Sequence, residues 1–423
     1  MRIVREPTIL SPDQSRVLLR PFDPGGSQRI ASIAARVAVM AEIEVGRVLD
    51  EISAEFSTRH HDVRGRFLAH FEEIRQVIGW DEDVSEERRM VAGSYFLAEY
   101  SLESAALFNP SMVPHPDQSG VPEGSLRFIL SLRATGEGHV SSVTFRTGII
   151  DSGHRIEVYP STGFLTEPRL VADANHGEDS PDHEVQFPTD LELSQRILFP
   201  KTPSQRNGVE DARFVRLFNE HGYCLYYATF TAYDGRAVRP ELVETADFLR
   251  FRFFSLTGPA ARNKGMALFP RKVNGRYAML SRQDNESIHL MYSSNIQHWT
   301  ESAVLLQPAF PWELVQVGNC GSPMETETGW LVLSHGVGPM RKYCIGAFLL
   351  DLDDPSKVIG RLREPLLQPS QHEREGYVPN VVYSCGGLLH GDRLILPYGI
   401  ADHATGFATV PLADILAAME PVQ

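Results

Sequence analysis

The sequence predicts an all-β chain, a five-bladed β-propeller with an N-terminal α-helical extension, and three observations carry that prediction. From about Ser125 to Val410, short apolar runs rich in Tyr, Phe, Val and Leu alternate with Gly, Asn and Asp turns, the texture of strands and hairpins. Comparable units begin near Gly208, Lys264, Asn319 and Gly376, at intervals of 56, 55 and 57 residues. A period of roughly 50 residues with about four strands per unit is that of a propeller blade. These units, with the earlier strand-rich stretch from Ser125 to Phe199, make five. Ahead of them the texture is helical.

In chain order, Ser27 is suited to a helix N-cap. Apolar residues then recur at Ile30, Ile33, Ala34, Val37, Met40, Ala41, Val45, Val48 and Ile52, the stripe of one amphipathic helix. A second helix is expected over Arg64 to Ile78 and a third over Ser85 to Leu107, ended by Phe108-Asn109-Pro110. The expected division is a helical extension over 1–107 and a propeller catalytic domain over 108–423. The helices suit a cap or a homo-oligomer interface better than direct chemistry. The adjacent His60 and His61 read as a solvated face rather than a metal site. In the second part, the turns Asn219–Gly222, Asn274–Gly275 and Glu327–Gly329 each separate two strand-like runs. Two units close on the same tetrapeptide, Leu305–Pro308 and Leu366–Pro369.

Composition narrows the partners. Among 423 residues the formal charge is -14, which argues against a nucleic-acid partner and leaves room only for a local basic pocket. No apolar run approaches the length of about 18 residues that spans a bilayer, so no membrane partner is expected. The N-terminus carries Pro and charges where a signal peptide needs an apolar core. The four cysteines are far apart, with no CxxC and no His at zinc spacing, so the expectation is a reduced, cytoplasmic chain with no structural metal.

Polar clusters at equivalent points of successive units should converge on the propeller axis. Glu210 and Asp211 open a strand, and alternation turns only one of them inward. A carboxyl in a dry axis has its charged form disfavoured and becomes a candidate general acid. Arg213, two residues on, would equally hold Asp211 ionised in a structural ion pair, and residue types leave both readings open. Lys264, Arg282 and His335 sit at unit starts or strand ends beside turn formers. Converging, they make an anion site for phosphate or a substrate carboxylate; paired with Asp284, Glu286 or Asp402 they only neutralise the axis. Trp299, Trp312 and Trp330 suit core positions better than sugar stacking. There is no GxSxG, P-loop, GxGxxG or HExxH.

Several longer motifs go further. Gly208-Val-Glu-Asp-Ala-Arg213, Asn263–Lys272, Gly329–Gly336, Leu349–Pro355, Val378–Tyr383 and Tyr398–Asp402 resemble, in order and spacing, those of glycoside hydrolase family 130 over residues 108 to 410. The resemblance implies a five-bladed propeller with inverting chemistry on β-mannosides. It implies Asp211 as the acid, passing its proton through a sugar hydroxyl to the glycosidic oxygen. It also implies Lys264, Arg282 and His335 as phosphate ligands, with Arg262 and Lys272 as substitutes for the first two, and Asp402 as a ligand of the cleaved sugar. Glu210 and Arg213 flank the acid and join the substrate-binding set; the stretch Glu103–Pro110 brings Asn109 towards the funnel. The chain departs from the pattern at Ala212, where Pro is usual, and at Gln283–Glu286 after Arg282.

Phosphorolysis needs one acid and one bound anion, because phosphate is itself the nucleophile. Inverting hydrolysis needs a second carboxylate, roughly 6.5–9.5 Å from the acid, to activate water. Lys264, Arg282 and His335 favour phosphate; Asp284 and Glu286 are the candidate general bases if water attacks. The expectation is cleavage of short β-mannosides to mannose 1-phosphate, with an oligosaccharide partner, inorganic phosphate as co-substrate and no cofactor. An inverting β-mannosidase acting, for example, on β-1,2-mannosides is the alternative, and a non-catalytic carbohydrate-binding propeller the remote one.

Overall fold

The structure, a computed structural model, describes residues 2–80, 84–171 and 182–422, so part of the strand-rich stretch Ser125–Phe199 lies outside the described residues. The chain divides into two compact units, one of Met1–Pro12, Glu103–Ser161 and Glu167–Gln423, the other of Asp13–Leu102 and Thr162–Thr166.

The smaller unit differs from the expected 1–107 extension. It contains the helices Ser27–Ala38, Glu42–Phe56, Val63–Ile78 and Glu86–Ser94, together with an antiparallel pair, Val17–Pro21 and Leu97–Ser101. The expected single helix over Ile30–Ile52 is broken at Val39–Ala41. Arg88 explains the break: its guanidinium donates to the carbonyls of Val37 (2.6 Å), Ala38 (3.1 Å) and Met40 (2.7 Å) and pairs with Glu42 (2.5 Å). The carbonyls at this helix end are thereby satisfied by a side chain. Ser27 is the first helical residue, with Gly26 at the N-cap. The third expected helix stops at Ser94, because a strand follows rather than more helix. His60 is not a solvated group: it is buried, with Nε2 2.8 Å from Glu99 Oε1.

The larger unit is mostly antiparallel β. A first set runs Ala106–Pro114, Leu126–Thr135, Ser141–Ile150, Ile156–Val158. A second runs Gly208–Phe218, Cys224–Tyr233, Val238–Thr245, Arg250–Ser255. One parallel pair, Gly208 with Ser141, joins these two. The third set is Lys264–Leu268, Tyr277–Arg282, Ile288–Ser293, Ala303–Leu306. The fourth is Gln316–Asn319, Gly329–Val337, Tyr343–Leu350, Val358–Leu362. The fifth is Val382–Tyr383, Arg393–Ile400, Ala404–Pro411 and, outermost, Val4–Leu10. That N-terminal strand corrects the expected boundary, since residues assigned to the helical extension complete the last sheet.

Each set shares an apolar core with the next. Ile129 and Phe145 of the first pack with Phe214 and Phe230 of the second, and Leu217 and Tyr227 with Leu268 and Met279 of the third. Leu280 and Leu290 of the third meet Val317 and Trp330 of the fourth, whose Leu331 and Ile345 meet Leu396 and Tyr398 of the fifth. The fifth returns to the first through backbone bonds from Leu107 to His403 (2.9 Å), Cys385 to Pro110 (2.8 Å) and Met112 to Gly386 (3.1 Å). Trp299 and Trp330 are fully buried core residues. Trp312 donates its indole N–H to the Arg363 carbonyl and lies against Gly336 and Gly346.

Candidate active site

Two recurring backbone devices aim side chains into one cavity of about 260 Å³. The first is a bulge near the start of three inner strands. The ladder register shifts at Phe108/Ser111, Glu210/Arg213 and Lys264/Ala267. Within these shifts Asn109 (φ 48°), Asp211 (φ 52°) and Gly265 (φ 84°) adopt left-handed backbone, which Asn, Asp and Gly tolerate best. The second device is a tight turn between the second and third strands of a set. Gly138-His139 (φ 66°, 61°), Met340-Arg341 (φ 58°, 55°) and Ala401-Asp402 (φ 49°, 50°) have two successive positive φ angles, the mark of a type I′ turn. The second residue of each, His139, Arg341 and Asp402, lines the cavity.

The bulge overturns the alternation argument for Glu210 and Asp211. Both reach one guanidinium: Arg133 donates to Glu210 Oε1 (2.7 Å) and Asp211 Oδ1 (3.1 Å). Asn109 donates a third bond, Nδ2 to Asp211 Oδ1, at 2.8 Å. Arg213 is not the ion-pair partner of Asp211. It is buried and donates to the carbonyls of Gly265 (2.8 Å) and Asn319 (3.0 Å) and to the Tyr383 hydroxyl (2.7 Å). Burial pushes the Asp211 carboxyl up, but Arg133, the Asn109 bond, Lys264 and Arg213 outweigh it and hold it at about 2. Burial raises Glu210, against Arg133. Asp402 is pushed up to about 6 by burial and by the Asp211 charge, with Arg133 and Arg341 acting the other way.

Opposite the acid, Lys264 and Arg282 are cross-strand partners, so their side chains leave the same face. Lys264 has no hydrogen bond or ion pair among the described residues, and the buried Nε of Arg282 has no partner. Arg282 Nη1 lies 3.3 Å from His335 Nε2 and, with the Gln316 amide oxygen turned towards it, 2.6 Å from that oxygen. A guanidinium only donates, so His335 accepts through Nε2. Burial, then Arg282 and Arg213, hold the imidazole well below its usual range. His335 is thus a neutral group that orients Arg282, not a third cation.

The structure brings together Asn109, Asp211, Arg213, Lys264, Arg282, His335 and Asp402 in the cavity wall, with Glu210 behind Arg133. It leaves out Asp284 and Glu286, both exposed. Asp284 caps its own turn, accepting from the backbone of Glu286 (2.9 Å) and Ser287 (2.7 Å). Arg262 bonds Gln283 and Lys272 pairs with Glu220, so neither substitute enters the cavity. Sequence reasoning missed Arg133, which sits within a strand with no local signal, and His139 and Arg341, which follow Gly138 by one residue and Gly338 by three. Among the described residues no group of three His, Cys, Asp or Glu is placed to hold a metal, and no helix is long and apolar enough to cross a membrane.

A family model described as beta-1,4-mannooligosaccharide phosphorylase matches residues 139–421. A 1,2-beta-oligomannan phosphorylase from a Thermoanaerobacter species is 34% identical over 229 residues, 53% of this chain and 75% of the relative. A beta-1,2-mannobiose phosphorylase from Listeria innocua is 32% identical over 232 residues, 53% of this chain and 63% of the relative. The solved structure of the Listeria innocua enzyme with beta-1,2-mannobiose superposes with a TM-score of 0.54 at 22% identity, covering 74% of this chain and 92% of that one. A glycosyl hydrolase from Bacteroides ovatus gives 0.56 at 17% identity, covering 77% and 89%. These superpositions show a shared fold.

Proposed function

Because the chain belongs to glycoside hydrolase family 130, as the match over residues 139–421 shows, we propose that its cavity cleaves β-mannosidic bonds in short mannosides by phosphorolysis, releasing mannose 1-phosphate. One observation carries the choice of phosphate over water. A single buried acid network shares the cavity with a lysine and an arginine that have no carboxylate partner among the described residues, whereas Asp284 and Glu286 stand outside it. The residue roles follow from the same geometry. Lys264 and Arg282 hold the phosphate, Arg282 being oriented by His335 and Gln316. Asn109, whose buried Oδ1 has no partner among the described residues, and Asp402 take hydroxyls of the sugar to be cleaved.

Asp211 is the proton donor, although at rest it is ionised. Phosphate at Lys264 neutralises one of the charges that hold it so and adds negative charge nearby, both of which raise its pKa. The protonated acid then delivers its proton, directly or through a sugar hydroxyl, to the glycosidic oxygen. A phosphate oxygen attacks the anomeric carbon from the opposite face as the bond to the leaving sugar breaks, and a proton from solvent restores the acid. Hydrolysis is the second reading, favoured by Asp402, a cavity carboxyl at about 6 that suits a general base for water.

The order of the five strand sets, with the fifth bonded back to the first, supports a five-bladed propeller, and the helices of the smaller unit suit an interface between copies of this chain. Four free cysteines suit a reducing cytoplasm, and the chemistry asks for no cofactor. The deciding assay is β-1,2- and β-1,4-mannobiose with and without inorganic phosphate. Phosphate-dependent mannose 1-phosphate is expected; equal cleavage without phosphate would make the chain a hydrolase. Asp211→Asn should lose turnover by about 10²–10⁴-fold while keeping sugar binding. Intact turnover in that variant overturns the assignment of the acid, and sugar binding without turnover in the parent chain makes this a binding module.

A further inference from the structure

A second cavity, of about 490 Å³, lies between the outer parts of the first and second sheet sets and shares no lining residue with the central one. This volume falls in the range of roughly 300–1,000 Å³ typical of small-molecule sites. Its lining includes Tyr159 beside Pro160, just after the last strand of the first set, with Tyr159 38% exposed. It also includes Glu192, whose carboxylate caps a short helical turn by accepting from the backbone of Gln195, and Asp247 at the turn before Arg250–Ser255. Asp247 uses only Oδ1 locally, accepting from the backbone of Leu249 (2.9 Å) and Arg250 (3.0 Å).

Two lining side chains are held by their own bonds. Arg196 is buried, donates to the carbonyls of Phe248 (2.9 Å) and Leu191 (2.6 Å), and keeps a buried Nε without a partner among the described residues. His115 Nδ1 lies 2.9 Å from both the backbone nitrogen and the carbonyl oxygen of Asp117, which anchors the ring. Burial lowers the pKa of this imidazole and so favours its neutral form.

An aromatic ring, two carboxylates and two anchored basic side chains suit a ligand with apolar faces and many hydroxyls. An anion would meet Glu192 and Asp247. A metal would need a third ligand, and no such group is assembled among the described residues. A purely apolar ligand would strand the charged groups. We infer that the cavity walled by Tyr159, Glu192, Arg196 and Asp247 is a second, non-catalytic site for a neutral oligosaccharide, stacked on the tyrosine and hydrogen-bonded through vicinal hydroxyls.

The site acts on binding, not on turnover. It would hold a longer chain on the enzyme while the central cavity works on an end. Equilibrium dialysis of β-1,2-mannotetraose and of cellotetraose, without phosphate, tests it on the intact chain. Tyr159→Ala should bind one molecule fewer per chain than the parent for at least one probe, with mannobiose turnover within about twofold. Equal stoichiometry in parent and variant for both probes overturns the inference. So does preferential, salt-sensitive binding of a chitosan tetramer, which would mark a cationic ligand. The Tyr159 ring is half-exposed and its hydroxyl bonds nothing described, so the variant should fold; Glu192→Gln gives a second, volume-conserving probe of the same cavity. Dialysis needs no turnover, so a chain that loses one bound sugar yet cleaves nothing would sink the reaction proposed above and leave this site standing.

Discussion

Burial and the nearby Asp211 carboxylate push Asp402 up to about 6, and that displacement has a stability cost whose sign is fixed. An aspartate in the unfolded chain titrates at about 3.9. Between these values the folded state binds more protons than the unfolded one, so stability falls as pH rises through the window. Below about pH 4 the group costs nothing; above about pH 6 its ionisation costs on the order of 2–3 kcal/mol. Asn tolerates the left-handed backbone at this position (φ 50°). Asp402→Asn should therefore stabilise the fold by about 2 kcal/mol at pH 8 and by little at pH 4, in urea melts at both values, while losing turnover. A gain that is independent of pH would show that the carboxyl ionises freely. Asp402 was legible as a site residue from its motif, as were Asp211 and Lys264. Arg133 was not, because an arginine inside the strand Leu126–Thr135 looks like any surface charge until the bulge at Asp211 turns two acids towards it.

At the scale of elements, the turns that build the cavity rim are tight and partly strained. Met340 and Arg341 both have positive φ, a conformation that costs a residue with an ordinary Cβ roughly 1–2 kcal/mol. Met340 is 92% exposed, so its side chain contributes almost nothing to the core that would offset this. The strain persists because the flanking strands Gly329–Val337 and Tyr343–Leu350 pair in full register, and the bonds Gly338 N–H to Lys342 O (3.0 Å) and Lys342 N–H to Pro339 O (3.3 Å) leave Met340 and Arg341 to close the turn. Met340→Asn should raise stability by about 0.5–1 kcal/mol in chemical denaturation and leave turnover near that of the parent, since Arg341 keeps its place. A loss of stability would mean that the methionine makes an interaction the turn geometry does not reveal. The same feature limited the sequence reading. Asn274-Gly275 advertises both residues of its turn, whereas Met340-Arg341 and Ala401-Asp402 adopt a similar geometry with Met, Arg and Ala at positions that favour Gly or Asn, so their side chains could be placed in the cavity only by motif or not at all.

At the scale of the whole molecule, the repeat was visible because the first four strand sets, and the inner strands of the fifth, each fold from a contiguous stretch. Its closure was not visible. Val4–Leu10 pairs with Ala404–Pro411, about 400 residues away, and a run containing Arg, Glu and Pro gives no strand pattern of its own. Its place is fixed by long-range contacts: Arg5 bonds both carboxylate oxygens of Glu373 (3.1 Å each) and the Gln368 carbonyl (2.8 Å), and Glu373 also accepts the Tyr398 hydroxyl. Removing Arg5 leaves a buried carboxylate short of a charged donor, a loss of about 1–3 kcal/mol. Removing residues 1–12 does more, because it also bares the edge of Ala404–Pro411, the strand next to the Asp402 turn. Arg5→Ala should lower the thermal midpoint modestly with turnover intact at 25 °C. The truncation should lower it much further and reduce turnover, although none of the deleted residues lines the cavity. If the truncated chain melts with the parent, the N-terminal strand is an ornament on the fifth set, which keeps its fold without it.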